Sequence, residues 1–257
     1  MKKQSQIFDC TRFCNCLKRE LILDGRSLLL KWVVLIATLS VMLYIVNNPN
    51  THNYVNNQSG AAYMIFCNFG FLTLTIGASL FMQDMTTNGN RLNSLMSPSS
   101  TLEKYLSRWL IYVVGVAIAF LTSFAIAEGL RVLITKAYYG DIPGLHYVLP
   151  SEFPQRDNEG LMLYVGLLTA QATFVLGSTV APKNAFLKTA GVIAVLTVAF
   201  FTAVSNTFLA LNPEGLVTPE ANYIVGKVVI IAPICWTVFC YITAYFRMKE
   251  SEIIERL

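Results

Sequence analysis

What the chain lacks narrows its chemistry before its positive features are considered. It has two histidines, His52 and His146, far apart in sequence, and no His-Glu-x-x-His pair. That excludes the usual metalloprotease arrangement, which needs both imidazoles on one helix face. It has no Gly-x-x-x-x-Gly-Lys-Ser/Thr stretch, so no loop here cradles ATP as a P-loop does. Its six cysteines do not make a disulfide framework: Cys67, Cys235 and Cys240 fall in apolar runs, and Cys10, Cys14 and Cys16 cluster near the N-terminus. Cys10-x-x-x-Cys14-x-Cys16 has no fourth ligand to complete a soft-metal site, and we assign no metal, no bound cofactor and no catalytic residue. Charge is scarce as well: Asp, Glu, Lys and Arg make up 13% of the 257 residues.

What the chain has is apolar length. Six runs approach a bilayer crossing: 28–46, 60–82, 109–127, 161–181, 190–211 and 228–246. About 20 residues at 1.5 Å each cross the roughly 30 Å hydrocarbon core. A 54% hydrophobic content and a mean hydropathy of +0.53 agree. The expected fold is an all-α polytopic membrane protein with six transmembrane helices, forming one membrane domain over 1–257. The central parts of the six runs carry no Asp, Glu, Arg or His. Ion-coupled carriers keep such groups at membrane depth for function, so their absence argues against a self-powered transporter. Asn68, Gln171 and Asn206 supply mid-membrane polarity instead, either as helix-packing groups or along a substrate path. Gly70, Gly77, Gly115, Ala119 and Gly177 suit close helix approach.

The cations sit on one side. If the N-terminus is cytoplasmic, that side holds Lys2, Lys3, Arg12, Lys18, Arg19, Arg26, Lys31, Arg91, Lys104, Arg108, Lys183, Lys188, Arg247, Lys249 and Arg256. These are fifteen of the nineteen Lys and Arg, which by the positive-inside rule places both termini in the cytoplasm. The formal net charge of +4 is then a topology signal and not a nucleic-acid footprint. Residues 1–26 read as an interfacial amphipathic helix, with Ile7, Cys10, Cys14, Leu17 and Leu21 on one face and cations near lipid phosphates, or as a cytoplasmic helix packed on the domain. Residues 247–257 form a cytoplasmic tail. Glu128 and Arg131, three apart at the end of the third run, share a helix face and can pair. The segment 136–160 reads as a structured loop or small cap, 205–223 as a broken segment, and Pro233 as a kink.

The connection from Gln83 to Leu110 has the most character. Arg91 to Met96 fit a short helix that Pro98 stops. Ser100 with Glu103 spells a capping box that opens a new helix through Tyr105. Leu95 and Met96 are left as an apolar knuckle. The stretch Leu95-Met96-Ser97-Pro98-Ser99-Ser100-Thr101-Leu102-Glu103-Lys104-Tyr105-Leu106-Ser107-Arg108 resembles a segment of ABC-2-type permease subunits, especially those of the Bacteroidetes type. The family pattern there is Leu-Met-Leu-Pro-Ala-Ser followed by Glu-Lys-Phe/Tyr, so Ser97 and Ser99 depart from it. More loosely, the resemblance covers the whole chain.

It implies a permease without a fused ATPase, in a bacterial cytoplasmic membrane. Its partners would be a second permease copy or a paralogous permease, a cytosolic ABC ATPase carrying ATP and Mg, and membrane lipids, with no nucleic acid. The chain itself would not be an enzyme. The ATPase-coupling element would comprise Arg91, Leu95, Met96, Pro98, Ser100, Glu103 and Lys104. The alternative is a membrane scaffold or sensor-complex subunit that uses the same loop for a partner and transports nothing.

Overall fold

A computed structural model describes residues 8–47, 54–86, 89, 99–140, 145–148, 150, 153, 159–211 and 219–254. Side chains are described throughout these except at 54–58, 159–160, 200–201, 203–211, 219–230 and 252–254. Regular structure among the described residues is helical: α1 (Cys10–Val46), α2 (Tyr54–Ser79), a 3-10 turn (Gln83–Met85), α3 (Thr101–Trp109), a π turn (Leu110–Gly115), α4 (Val116–Tyr139), α5 (Glu159–Val180), α6 (Ala185–Leu211) and α7 (Pro219–Ile254). Five helical stretches are long and apolar enough to cross a bilayer: Cys10–Val46, Ser59–Ser79, Thr101–Tyr139, Leu161–Val180 and Ile231–Ser251. The chain is a multi-pass membrane protein. In α6, the apolar helix with described side chains is Ala185–Ala199, shorter than a crossing.

The N-terminal segment differs from the sequence expectation. Among the described residues the N-terminal stretch is not a helix of its own; α1 is one continuous helix of 37 residues. At 1.5 Å per residue it is about 55 Å long, well beyond a hydrocarbon core. Asp9 caps it, its Oδ1 accepting the Thr11 amide at 2.9 Å. One side of its N-terminal half packs on α3. Cys16 is buried there, while Cys10, Cys14 and Leu21 are exposed. All six cysteines are free thiols.

The chain divides into two compact units, Met1–Gly77 with Pro98–Leu167, and Ala78–Ser97 with Leu168–Leu257. In the first, Leu39 and Leu43 of α1, Ile65 and Phe66 of α2, and Phe120 and Phe124 of α4 form one apolar core with Val148, Phe153 and Leu167. Phe66 is its hub, with the rings of Phe120 at 5.1 Å, Phe124 at 5.1 Å and Phe153 at 5.2 Å. Tilted and edge-on rings at such distances add to simple burial.

The expected pair at the end of the third run is present and fully buried. Arg131 donates Nε to Glu128 Oε2 at 2.9 Å and a terminal nitrogen to Oε1 at 2.6 Å. Arg131 also donates to the His146 carbonyl at 3.0 Å, and Glu128 accepts the Val148 amide at 3.2 Å. With Val148 and Phe153 in the core, the described part of 136–160 is a cap on this end. Gly140, at φ +76°, ends α4 in a conformation that suits glycine.

In the second unit, the hydroxyls of Thr169 (α5) and Thr237 (α7) gather at the Pro233 carbonyl, at 3.4 and 2.8 Å. α7 runs on as a helix through Pro233. Gly177 lies so close to Thr189 of α6 that a Cβ would overlap it, and Phe174 stacks on Phe186 at 5.4 Å.

Close approach is equally strict in the first unit. A Cβ at Gly77 would come within 2.7 Å of Val116 Cγ1. Gly77→Val should therefore destabilise by about 1–3 kcal/mol, read as a lower thermal midpoint in detergent, with Val116→Ala in the same chain restoring most of the loss. An unchanged midpoint for Gly77→Val would contradict this packing.

Candidate functional site

The most unusual chemistry among the described residues is a polar seam between two membrane helices. Along the N-terminal half of α1, Arg12, Cys16, Glu20 and Asp24 recur at intervals of four, which keeps them close to one face. Opposite them stand Glu103, Ser107, Arg108 and Tyr112, from α3 and the π turn. The pairings rise together along both helices, so α1 and α3–α4 run parallel. A first and a third crossing must do so if successive spans alternate in direction.

The seam begins at Glu103. Its Oε2 accepts the Ser100 amide at 2.8 Å and Ser100 Oγ accepts the Glu103 amide at 3.3 Å, completing the expected capping box. Its Oε1 accepts the Asp9 amide at 2.7 Å and lies 3.2 Å from the Arg12 guanidinium. Asp9 and Ser100 are the N-cap residues of α1 and α3. One carboxylate therefore ties together two helix N-termini, where exposed amides favour an anion.

Glu103 precedes the apolar stretch that opens at Trp109 and is itself fully buried. The Ser100 and Asp9 amides and the Arg12 guanidinium satisfy the buried carboxylate.

The next layer is Ser107, whose hydroxyl donates to Glu20 Oε2 at 3.0 Å. Cys16 Sγ lies 3.5 Å from the same hydroxyl. Arg108, 2% exposed, reaches Glu20 Oε1 at 3.5 Å. Above it Tyr112 donates to Asp24 Oδ2 at 2.6 Å, and further on Trp32 Nε1 donates to the Ala119 carbonyl at 3.2 Å.

Tyr112 sits in the π turn. This wider turn inserts an extra residue into the third crossing, and such turns are rare and concentrated at functional sites. Gly115 ends it, since a Cβ there would stand 3.3 Å from the Leu110 carbonyl oxygen.

The expected coupling residues divide. Ser100, Glu103 and Lys104 are described, and they do not form an exposed docking face. Glu103 is fully buried and Lys104 is 2% exposed. This corrects the view of their charges as surface contacts: the capping box turns Glu103 inward onto α1. Arg91, Leu95, Met96 and Pro98 lie outside the described residues.

Of the mid-membrane amides, Asn68 is exposed and donates back to the Met64 carbonyl of its own helix at 2.8 Å. Gln171 is fully buried, and the side chain of Asn206 lies outside the described set. The seam brings none of these three together. From the sequence Glu20, Asp24 and Tyr112 had no role, and Cys16 figured only as part of an incomplete metal-ligand set. The signal was the four-residue spacing of Arg12, Cys16, Glu20 and Asp24, matched by Glu103, Ser107 and Arg108. Comparison with protein-family models, curated proteins and solved structures gives no match.

Removing the Glu103 carboxylate leaves the Asp9 and Ser100 amides without their acceptor, at a cost of about 1–3 kcal/mol for each. Glu103→Ala should show a loss of that order, with faster hydrogen exchange at the α1 N-terminus, and Glu103→Gln should lose less because it keeps acceptor capacity. Equal exchange at Asp9–Phe13 in wild type and Glu103→Ala would remove Glu103 as the cause.

Proposed function

We propose that this chain is the membrane-spanning permease subunit of an ATP-driven exporter of the ABC-2 type. It crosses a bacterial inner membrane six times, with both termini cytoplasmic. It pairs with a second permease copy and takes its energy from a separate cytosolic ATPase. The observation that carries the reading is the joint at Glu103. The segment resembling the family's coupling element, Leu95–Arg108, ends in a capped helix whose buried charges are locked to α1 and continue into the third crossing. Force arriving at the capped start of α3 would pass through that joint to two spans at once.

Two features of the sequence support the same reading. The chain has no nucleotide motif of its own, and its six apolar runs have no mid-span Asp, Glu, Arg or His for ion coupling. The contact with the ATPase is assigned to Arg91, Leu95, Met96 and Pro98, and Ser100, Glu103 and Lys104 form the joint behind it.

Gentle purification from the native host, followed by identification of what accompanies the chain, tests the assignment. An ATPase bearing a P-loop should co-purify. Leu95→Asp with Met96→Asp should release it without moving the thermal midpoint. Recovery of a non-ATPase partner through the same loop would favour a scaffold, and recovery of no ATPase would count against the permease.

A further inference from the structure

We propose that the face of α1 turned away from the seam binds one anionic phospholipid, its phosphate held between Lys18 and Arg26 and an acyl chain lying along Ile22, Leu29 and Val33. The helix has only two acids, Glu20 and Asp24, and both are bonded in the seam, to Ser107 with Arg108 and to Tyr112. The opposite face is left with cations and apolar groups.

Lys18 and Arg26 are exposed and eight residues apart, about 12 Å along the axis and within about 80° around it. Ile22 lies midway between them and is 70% exposed; Leu29 and Val33 continue the same face at 61% and 60%. Both cationic side chains are long enough to converge above Ile22, where their apolar stems follow the helix and their charges meet one phosphate.

An apolar group this exposed between two cations marks the boundary between headgroups and acyl chains. A phosphate there would sit at its natural depth, with an acyl chain running towards Val33. The headgroup is anionic because a zwitterionic lipid would bring its own cation beside Lys18 and Arg26, with no acid of α1 free to receive it. Basic residues near an anionic surface each add about a fivefold preference, so two together supply at least tenfold. The site rests on the multi-pass membrane character and not on the transport reading, so either can fail alone.

The test is native mass spectrometry of the full chain released from nanodiscs containing phosphatidylcholine and phosphatidylglycerol. Wild type should retain one phosphatidylglycerol with about tenfold preference. Lys18→Gln with Arg26→Gln should lose that preference while keeping its circular dichroism and thermal midpoint, and Lys249→Gln should keep it. Equal retention of the two lipids by wild type, or wild-type retention by the double variant, would overturn the site. Displacement of the lipid by excess inorganic phosphate would reduce it to a simple anion site and overturn the lipid assignment.

Discussion

One carboxylate, Glu103, accepts the N-cap amides of two helices and faces one guanidinium. Each of these contacts is common singly. Together they fix the relative height of α1 and α3, because the two helix starts can share an anion only when level with each other. Every pairing further along follows from that alignment. Glu20 meets Ser107 and Arg108, Asp24 meets Tyr112, and Trp32 meets the carbonyl of Ala119, each offset by close to the same number of residues. The aromatic core around Phe66 then fills the remainder of the first unit.

The burial of so much charge in one place needs a reason beyond stability. A well-packed apolar replacement of similar volume is often as stable as a buried ion pair. What charge contributes is register: apolar seams slide, whereas a carboxylate between two amide ends and a guanidinium has one position. A joint of that kind suits a part that must transmit displacement without absorbing it. The π turn falls just beyond the charged block, where the helix passes from polar contacts with α1 to the phenylalanine core.

Much of this was legible in the sequence. Ser100 and Glu103 announced their capping box by spacing alone, and Glu128 and Arg131 their pairing, because both depend on positions within one turn of helix. Apolar length identified the long helices for a similar reason. The seam was hidden because it joins residues nearly ninety apart, and because Glu20 and Asp24 among nearby cations look like ordinary surface charge. For the same reason the apolar face of 7–21 was visible in the sequence, while the polar face of Arg12, Cys16 and Glu20 that packs on α3 was not. The π turn has no clear sequence signal apart from Gly115.

The two buried charge clusters also differ in when they can form. Glu128 and Arg131 belong to a single helix turn, so they neutralise each other as soon as that turn exists. The third crossing can enter lipid carrying a pair that already cancels. The seam bonds of Glu20 and Asp24 reach instead to Ser107, Arg108 and Tyr112, which leave the ribosome more than eighty residues later. The register of α1 is therefore set only once the third crossing has been made.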